Sequence, residues 1–391
     1  MRNPQQSPPV LLYLVTEDWY FLSHRLPMAI AAKRAGYDVH LATNVNGHGA
    51  EIESYGFRLH PLSWSRGNLN PLRLLSIIRE IRRIYRRCAP DLVHHVALQP
   101  AVIGSLAAIR LPIVRLNALA GLGYGFTSSR LKARIIRPVL KLLLRVLLNR
   151  PMAAVLVQNT DDRAAVLALG VNADRVFLIP GSGVDTEALR PAAEPEGSIV
   201  MGFIGRLLDD KGIRTLIAAH EILRRRGETI CLRVGGSADP ANPASIPAAE
   251  IEAWQRLPGV EMLGHVDDIE KFWAAAHIAV LPSRREGLPK SLLEAAACGR
   301  PLVATDVPGC RVIARQDVNA LLVPPDDPPA LADAIQRLAH DRALRQRFAA
   351  AGRKMAEEEF SSTRIGHEIV ALYERLLGRT GTPLPTRSST R

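Results

Sequence analysis

The sequence predicts an α/β protein built from two doubly wound, parallel-sheet domains. At 391 residues, the chain is long enough for two domains of ordinary size. Short apolar runs alternate with longer amphipathic segments, which is the pattern of strand–helix–strand units. The alternation pauses at 189–198, a stretch containing two prolines, and begins again at Ile199. This restart indicates a first domain over 1–190 and a second that begins at 191.

The first half of the chain alternates predicted strands and helices. Apolar runs bounded by turn residues predict strands at 10–16, 38–43, 91–95, 153–158 and 176–179. Segments of helical periodicity predict helices at 22–35, 71–87, 101–109, 130–150 and 161–169. Glycines follow the first and last of these helices at Gly36 and Gly170, where a C-cap is expected. In such sheets, ligands bind beyond the carboxyl ends of the strands.

The second half repeats the pattern and ends in helix. Strands are predicted at 199–204, 230–234, 260–266, 278–281 and 301–305, and helices at 292–298 and within 326–373. The tail at 378–391 is rich in Thr, Pro, Ser and Arg and is expected to be disordered.

Cysteine usage and hydropathy indicate a cytoplasmic protein. The four cysteines, at 88, 231, 298 and 310, form no CxxC pair and no zinc-type spacing, which favours a reducing compartment. The N-terminal residues are polar, and the apolar run that follows, at 10–15, is too short for a signal peptide. No segment approaches the roughly 20 apolar residues of a membrane-spanning helix.

The positive charge lies in the first half. Residues 1–190 hold 24 Lys and Arg against 12 Asp and Glu, whereas 191–391 hold 26 of each. An excess of this kind is explained by a polyanion, an anionic membrane surface or an anionic acceptor. The predicted helix 71–87 alone carries six arginines, and 130–150 carries seven basic residues among many leucines.

The segment 130–150 is apolar and basic at once. It suits an interfacial helix that buries leucines while its basic residues meet phosphates. The alternative is a core helix with solvated basic residues. Pro138 is expected to kink or split it.

The most informative stretch runs from Ser283 to Arg311 and reads as loop, helix, strand and loop. Glu286 lies in the loop, and Glu294 lies one turn into the helix, with seven residues between them. A helix N-terminus suits a diphosphate, and carboxylates accept hydrogen bonds from sugar hydroxyls. In the alternative interpretation, Ser291 and Glu294 form a capping box and Glu286 is an ordinary loop charge.

This stretch, EGLPKSLLEAAACGRPLVATDVPGC, resembles the E-x7-E motif of the retaining GT-B glycosyltransferases of family 4. Within that family it looks most like the branch that builds capsular polysaccharide, O-antigen and lipid-linked oligosaccharides. The resemblance implies two Rossmann-like domains facing a cleft, with the acceptor bound by the first and the nucleotide sugar by the second, 191–360. It further implies that a last helix, 361–377, crosses back to the first domain.

The resemblance also implies roles for the second-domain residues. Glu286 would hold the transferred sugar, and Glu294 the ribose of the nucleotide. The turn Gly205–Gly212 resembles the family's G-R-x(3-4)-K-G element, whose Arg206 and Lys211 would meet the diphosphate. Asp209 and Asp210 are interpreted as a helix cap. The remaining donor-binding residues would be Gly205, Gly287, Leu288, Pro289, Lys290, Ser291, Leu292 and Val266.

The first-domain residues are assigned from the same resemblance. Relatives place a histidine after the strand at 91–95, and here His94 and His95 are adjacent, so strand alternation turns only one inward. His94 is preferred because it keeps the D-x-x-H spacing from Asp91, although a lone histidine is more often structural. The stretch NALAGLGYGFT resembles an acceptor-side loop, and its alternative is simple flexibility. The acceptor-side candidates are His95, Gly121, Gly123 and Tyr124.

These inferences combine into one expected activity. The protein would transfer a sugar from a nucleotide sugar, expected to be a UDP-sugar, with retention. The acceptor would be a polyprenyl-diphosphate-linked glycan at the anionic inner face of the membrane. No metal or other cofactor is expected, because no D-x-D motif follows a strand end.

Two alternatives remain at this stage. One is another GT-B enzyme, such as a transferase acting on a soluble acceptor or a phosphorylase. The other is a non-catalytic module that binds a nucleotide sugar or nucleic acid. Aromatic residues make up only 5% of the chain, which disfavours nucleic-acid binding.

Overall fold

The computed structural model describes residues 7–64, 71–119, 131–181, 183–240 and 242–379. The chain divides into two compact units, Met1–Ser182 with Ile365–Arg391, and Gly183–Arg364. Each unit is an α/β layer structure around one parallel sheet, which confirms the predicted fold class.

The first unit contains a seven-stranded sheet of order β3-β2-β1-β4-β5-β6-β7. Its elements are β1 (Val10–Glu17), α1 (Asp18–His24), α2 (Leu26–Arg34), β2 (Asp38–Asn44), α3 (Gly49–Ser54), β3 (Arg58–Pro61), α4 (Pro71–Cys88), β4 (Leu92–Val96), α5 (Leu98–Ala107), β5 (Val114–Leu119), α6 (Leu131–Leu148), β6 (Ala153–Val157), α7 (Thr160–Ala168) and β7 (Val176–Leu178). The central strands β1, β4 and β5 are buried along almost their whole length, as expected for a sheet covered on both faces.

Helix α6 continues through Pro138 without a break, contrary to the expected split. A proline removes one hydrogen bond from the ladder, and here the helix extends over 18 residues with Pro138 in its interior. Among the residues described, no helix combines the length and apolar composition needed to cross a bilayer.

The second unit contains a six-stranded sheet of order β10-β9-β8-β11-β12-β13. Its elements are β8 (Ile199–Ile204), α8 (Ile213–Arg225), β9 (Ile230–Gly235), α9 (Ala248–Gln255), β10 (Val260–Gly264), α10 (Ile269–Ala274), β11 (Ile278–Leu281), α11 (Lys290–Ala297), β12 (Leu302–Thr305), α12 (Pro308–Ile313), β13 (Ala320–Val323), α13 (Pro328–His340) and α14 (Arg342–Glu359). One apolar core, from Val184 to Phe360, fills both faces of this sheet.

The last helix, α15 (Ser362–Leu376), belongs from Ile365 onward to the first unit. Its Ile365, Ile369 and Leu372 join the core formed by β1, α2 and β4. Gly366 allows this close packing, because a Cβ there would lie 2.7 Å from the Cβ of Ala31. A hydrogen bond between two tyrosine hydroxyls also anchors the helix, because Tyr373 Oη lies 2.8 Å from Tyr13 Oη.

Candidate donor site

The candidate site lies in the second unit, where loops follow the carboxyl ends of β8, β11 and β12. The β8 loop carries Arg206 and Lys211, and the β11 loop carries Glu286 and leads into α11. Parallel strands bring these loops to one edge of the sheet, although 75 residues separate Lys211 from Glu286.

The contact at the centre of the site is an ion pair between Lys211 and Glu286. Lys211 Nζ lies 2.6 Å from Glu286 Oε1, and Ser283 Oγ donates to the same oxygen at 2.7 Å. The Glu286 side chain is 9% exposed and that of Lys211 is 23% exposed, so solvent screens the pair only in part. Two donors on one oxygen fix the orientation of the carboxylate.

A network of arginines and aspartates holds the two loops together around this pair. Arg284 binds both Asp209 and Asp326, the latter at 2.7 Å, and Arg285 binds Asp210 at 3.2 Å. Burial acts to raise the pKa of Asp209, but hydrogen bonds from Arg284 and Arg214 outweigh it and lower that pKa below its ordinary value.

These contacts correct the interpretation of Asp209 and Asp210. The two aspartates form a 3-10 turn with Lys211, and no side chain caps it. They instead connect the β8 loop to the β11 loop, because Asp209 pairs with Arg284 and Asp210 pairs with Arg285. The sequence alone did not reveal these partners.

Two glycines allow the loop backbones to approach closely. A Cβ on Gly212 would lie 1.9 Å from Pro282 O, and one on Gly309 would lie 2.4 Å from Glu286 O. Gly212 also has a φ of 71°, in the left-handed region that favours glycine. Sequence reasoning missed Ser283 and Gly309, although the spacing of Ser283 from Glu286 and the Pro308–Gly309 pair after a strand were available signals.

Glu294 lies on the second turn of α11 and is only 7% exposed. Burial raises the pKa of its carboxyl above the ordinary value, and Lys290, whose Nζ lies 3.2 Å from Oε1, opposes that rise. The N-cap of α11 is Pro289, and no side chain caps the helix, so the capping-box alternative for Ser291 and Glu294 does not hold. Glu294 is therefore a buried carboxylate without a capping role.

The start of α11 presents backbone amides to the same edge. The Leu292 amide, expected to be available for a ligand, donates to Pro289 O at 3.2 Å within the first turn. The amides of Lys290 and Ser291 lie in the first turn, where the carbonyl four residues earlier is outside the helix. They carry the positive end of the helix dipole.

The other predicted donor-side residues surround this edge. Arg206 is exposed and its Nη1 lies 2.8 Å from Asp239 Oδ2, on the loop after β9. The Gly205 amide donates to Gly235 O at 3.0 Å, which joins the β8 and β9 loops. Val266 lies against Gly235, whose ideal Cβ would be 2.8 Å from Val266 Cγ2. Two further predicted residues line the β11 loop, namely Gly287 and the partly buried Leu288.

The structure places His94 and His95 in the core of the first unit, both fully buried. His94 Nδ1 lies 2.6 Å from Tyr373 Oη, and His95 Nδ1 and Nε2 lie 2.8 Å from Asn117 Oδ1 and 2.9 Å from Tyr85 Oη. Burial lowers the pKa of His94 well below its usual range. It also lowers that of His95 to about 4, although the Asn117 hydrogen bond opposes this.

This burial does not support a contact between either histidine and the donor sugar. The two rings occupy opposite faces of β4, and helices cover both faces, so both are buried rather than only one. The residue at the carboxyl end of this strand is Ala97, whose φ of 79° is costly for a residue other than glycine. Sequence reasoning missed this strained position. The remaining acceptor-side candidates, Gly121, Gly123 and Tyr124, lie outside the described residues.

Comparisons with known proteins agree with this arrangement. The sequence model of the family described as "Glycosyl transferase 4-like" matches residues 10–158, and that of "Glycosyl transferases group 1" matches 198–341. The capsular polysaccharide biosynthesis glycosyltransferase CapM of Staphylococcus aureus is 32% identical over 46% of this chain and 47% of its own length. The chain thus spans about half of that relative.

A second relative aligns along almost its whole length. It is the N,N'-diacetylbacillosaminyl-diphospho-undecaprenol alpha-1,3-N-acetylgalactosaminyltransferase of Campylobacter jejuni, 24% identical over 91% of this chain and 98% of its own. Among solved structures, Anabaena HepE in complex with UDP and glucose superposes with a TM-score of 0.76 at 18% identity, covering 93% of this chain and 99% of that one. With one family model matching each unit and a shared two-sheet fold, the chain belongs to the GT-B glycosyltransferases of family 4.

Proposed function

We propose that this glycosyltransferase moves a sugar from a UDP-sugar, with retention, to a polyprenyl-diphosphate-linked glycan at the inner face of the membrane. The observation that carries the donor part of this proposal is the contact between Lys211 and Glu286. In a nucleotide sugar, one oxygen joins the β-phosphate to the anomeric carbon. A cation for the phosphate and a carboxylate for the sugar must therefore lie side by side, as these two do.

Glu294 supplies the other end of the donor site. It lies on the second turn of α11, and its buried carboxylate suits a bidentate contact with the two hydroxyls of a ribose. The HepE structure, which has the same fold, contains UDP. Uridine diphosphate is thus the nucleotide that we propose here.

The chemistry that we propose needs no metal. As the bond between the anomeric carbon and the diphosphate breaks, its electron pair passes to a β-phosphate oxygen. Lys211, Arg206 and the amides that open α11 stabilise that charge. The acceptor hydroxyl attacks from the face that the diphosphate leaves, and a diphosphate oxygen takes the hydroxyl proton. Glu286, oriented by Lys211 and Ser283, holds hydroxyls of the transferred sugar.

The first unit supports a membrane-bound acceptor. On α6, Val139, Leu142 and Val146 are 67%, 63% and 49% exposed, at a spacing that aligns them on one stripe. Lys141 and Arg145 are exposed on the same helix. Exposed aliphatic side chains with adjacent basic side chains suit insertion into an anionic bilayer interface. The names of the CapM and Campylobacter relatives refer to capsule and to an undecaprenol-linked substrate.

Two substitutions test the donor assignment. We expect Glu294→Gln to weaken the binding of free UDP, measured by calorimetry, because the amide accepts fewer hydrogen bonds from the ribose. We expect Glu286→Gln to lower turnover in a transfer assay while leaving UDP affinity nearly intact, because UDP lacks the sugar. Equal UDP affinity in wild type and Glu294→Gln would defeat the ribose assignment, and inversion at the anomeric carbon of the product would defeat retention.

A further inference from the structure

We propose that the first unit contains a metal site, formed by His40, His60 and Cys88, that binds one zinc-like divalent cation. The three residues come from β2, β3 and the last position of α4. Their ligand atoms lie within 4.8 Å of one another. Imidazole nitrogen and thiolate sulfur are the ligands that zinc prefers in proteins.

The distances between the donor atoms fit coordination to one ion. His40 Nδ1 lies 2.9 Å from His60 Nε2, and Cys88 Sγ lies 3.3 Å from that same nitrogen. Zinc binds histidine nitrogen at about 2.0–2.1 Å and cysteine sulfur at about 2.3 Å, so an ion among these three atoms needs only a slight widening of the triangle. Without an ion, the same atoms share hydrogen bonds.

A carboxylate occupies the position expected of a partner to a metal-binding histidine. Asp38 Oδ2 lies 3.4 Å from His40 Nε2, the ring nitrogen that does not face His60. With its proton on Nε2, which faces Asp38 at ion-pair distance, His40 would turn the Nδ1 lone pair toward the ion, and a hydrogen bond to Asp38 would need a shorter separation than this one. Arg58, 3.2 Å from the same carboxylate oxygen, is 65% exposed, so solvent screens its charge.

Burial completes the site and leaves one position open. His40 is 4% exposed and Cys88 is 7% exposed, whereas His60 is half-buried. Water can reach the His60 side and act as the fourth ligand. Binding releases the thiol proton of Cys88, and the resulting thiolate neutralises part of the charge of the ion.

The location separates this site from sugar transfer. Cys88 ends the helix that precedes β4, at the amino end of the sheet, and His40 and His60 lie within the two outermost strands, β2 and β3. Ligands of parallel sheets bind at the opposite, carboxyl edge. The ion would hold the end of the basic helix α4 to β2 and the edge strand β3, which is a stabilising role.

Cobalt titration of the full-length, tag-free protein tests the proposal. After dialysis against a chelator, Co²⁺ reports thiolate ligation by a near-ultraviolet charge-transfer band and tetrahedral geometry by strong visible absorption. We expect one Co²⁺ per chain, displaced by Zn²⁺. Cys88→Ala should remove the charge-transfer band, and Asp38→Asn should weaken binding by about 10- to 100-fold, the usual cost of losing such a partner. Cys231→Ser, in the second unit, is the matched control and should bind as wild type does.

A thermal measurement keeps the test decisive if Cys88→Ala folds poorly. At 100 times its dissociation constant, Zn²⁺ should raise the melting temperature of the wild type by roughly 5 to 10 °C. His60 is half-buried, so His60→Asn should abolish that rise while keeping the wild-type circular dichroism spectrum. The proposal is overturned if wild-type protein shows no charge-transfer band, or if Cys231→Ser removes as much of it as Cys88→Ala.

Discussion

The close approach of the β8 loop to the end of β11 makes Gly212→Ala the sharpest test of the site geometry. A Cβ at this position would lie 1.9 Å from Pro282 O, whereas real Cβ atoms essentially never come within 3.0 Å of a neighbour. The loop must therefore move by at least 1.1 Å, the difference between these distances. Lys211, the preceding residue, would move with it and away from Glu286.

The expected loss of activity is large because the reaction depends on position. A displacement of about 1 Å at a catalytic group can cost on the order of 10²-fold in rate. The left-handed backbone adds about 1–2 kcal/mol of destabilisation, because alanine is strained there. We therefore expect the transfer rate of Gly212→Ala to fall about 10²-fold, with stability reduced by at least that strain.

Gly227→Ala is the matched control for this prediction. Gly227 follows the other end of the same helix, α8, and has a φ of 84°, but a Cβ there would meet nothing within 4 Å. It shares the backbone strain without the collision, so urea unfolding should show a similar cost of about 1–2 kcal/mol and transfer should remain near wild type. If folded Gly212→Ala transfers sugar as fast as Gly227→Ala, the close approach does not position Lys211.

Two further predictions concern the diphosphate and the membrane. Lys211→Met should lower turnover by on the order of 10²-fold, because the charge that it stabilises grows as the leaving group departs; EDTA should leave the wild-type initial rate unchanged, and a strict need for Mg²⁺ or Mn²⁺ would contradict the mechanism. The protein should bind anionic liposomes at low salt and neutral ones weakly, and Lys141→Gln with Arg145→Gln should weaken binding by about 1 kcal/mol per residue without changing UDP affinity. Wild-type protein that ignores anionic liposomes and uses a soluble acceptor equally well would refute the membrane assignment.

Local sequence patterns were sufficient for most of the strands and for placing both candidate donor carboxylates in one loop–helix segment. The apolar runs at Val10, Ile199 and Ile278 predicted buried strands because continuous hydrophobicity is required where both faces of a parallel sheet are covered. The Glu286 and Glu294 spacing was readable because both residues belong to one short loop–helix segment. Chain continuity alone keeps such residues close together.

Tertiary structure decided the contacts between distant segments. The sequence indicated that Lys211 and Glu286 both serve the donor, but only the packing of the β8 loop on the β11 loop shows that they touch. Nor did the sequence indicate that Arg284 joins those loops through Asp209. A parallel sheet aligns the ends of its strands, but side-chain partners between two loops depend on how each loop folds.

The histidines and Cys88 are a stronger example of contacts that the sequence alone does not predict. The D-x-x-H spacing favoured His94 for the donor, yet the central position of β4 buries it against the last helix, about 280 residues away in sequence. Cysteine spacing predicted no metal, because such motifs are recognised only when the ligands are close in sequence. His40, His60 and Cys88 lie on three separate elements, so their convergence is a property of the folded sheet and its covering helix alone.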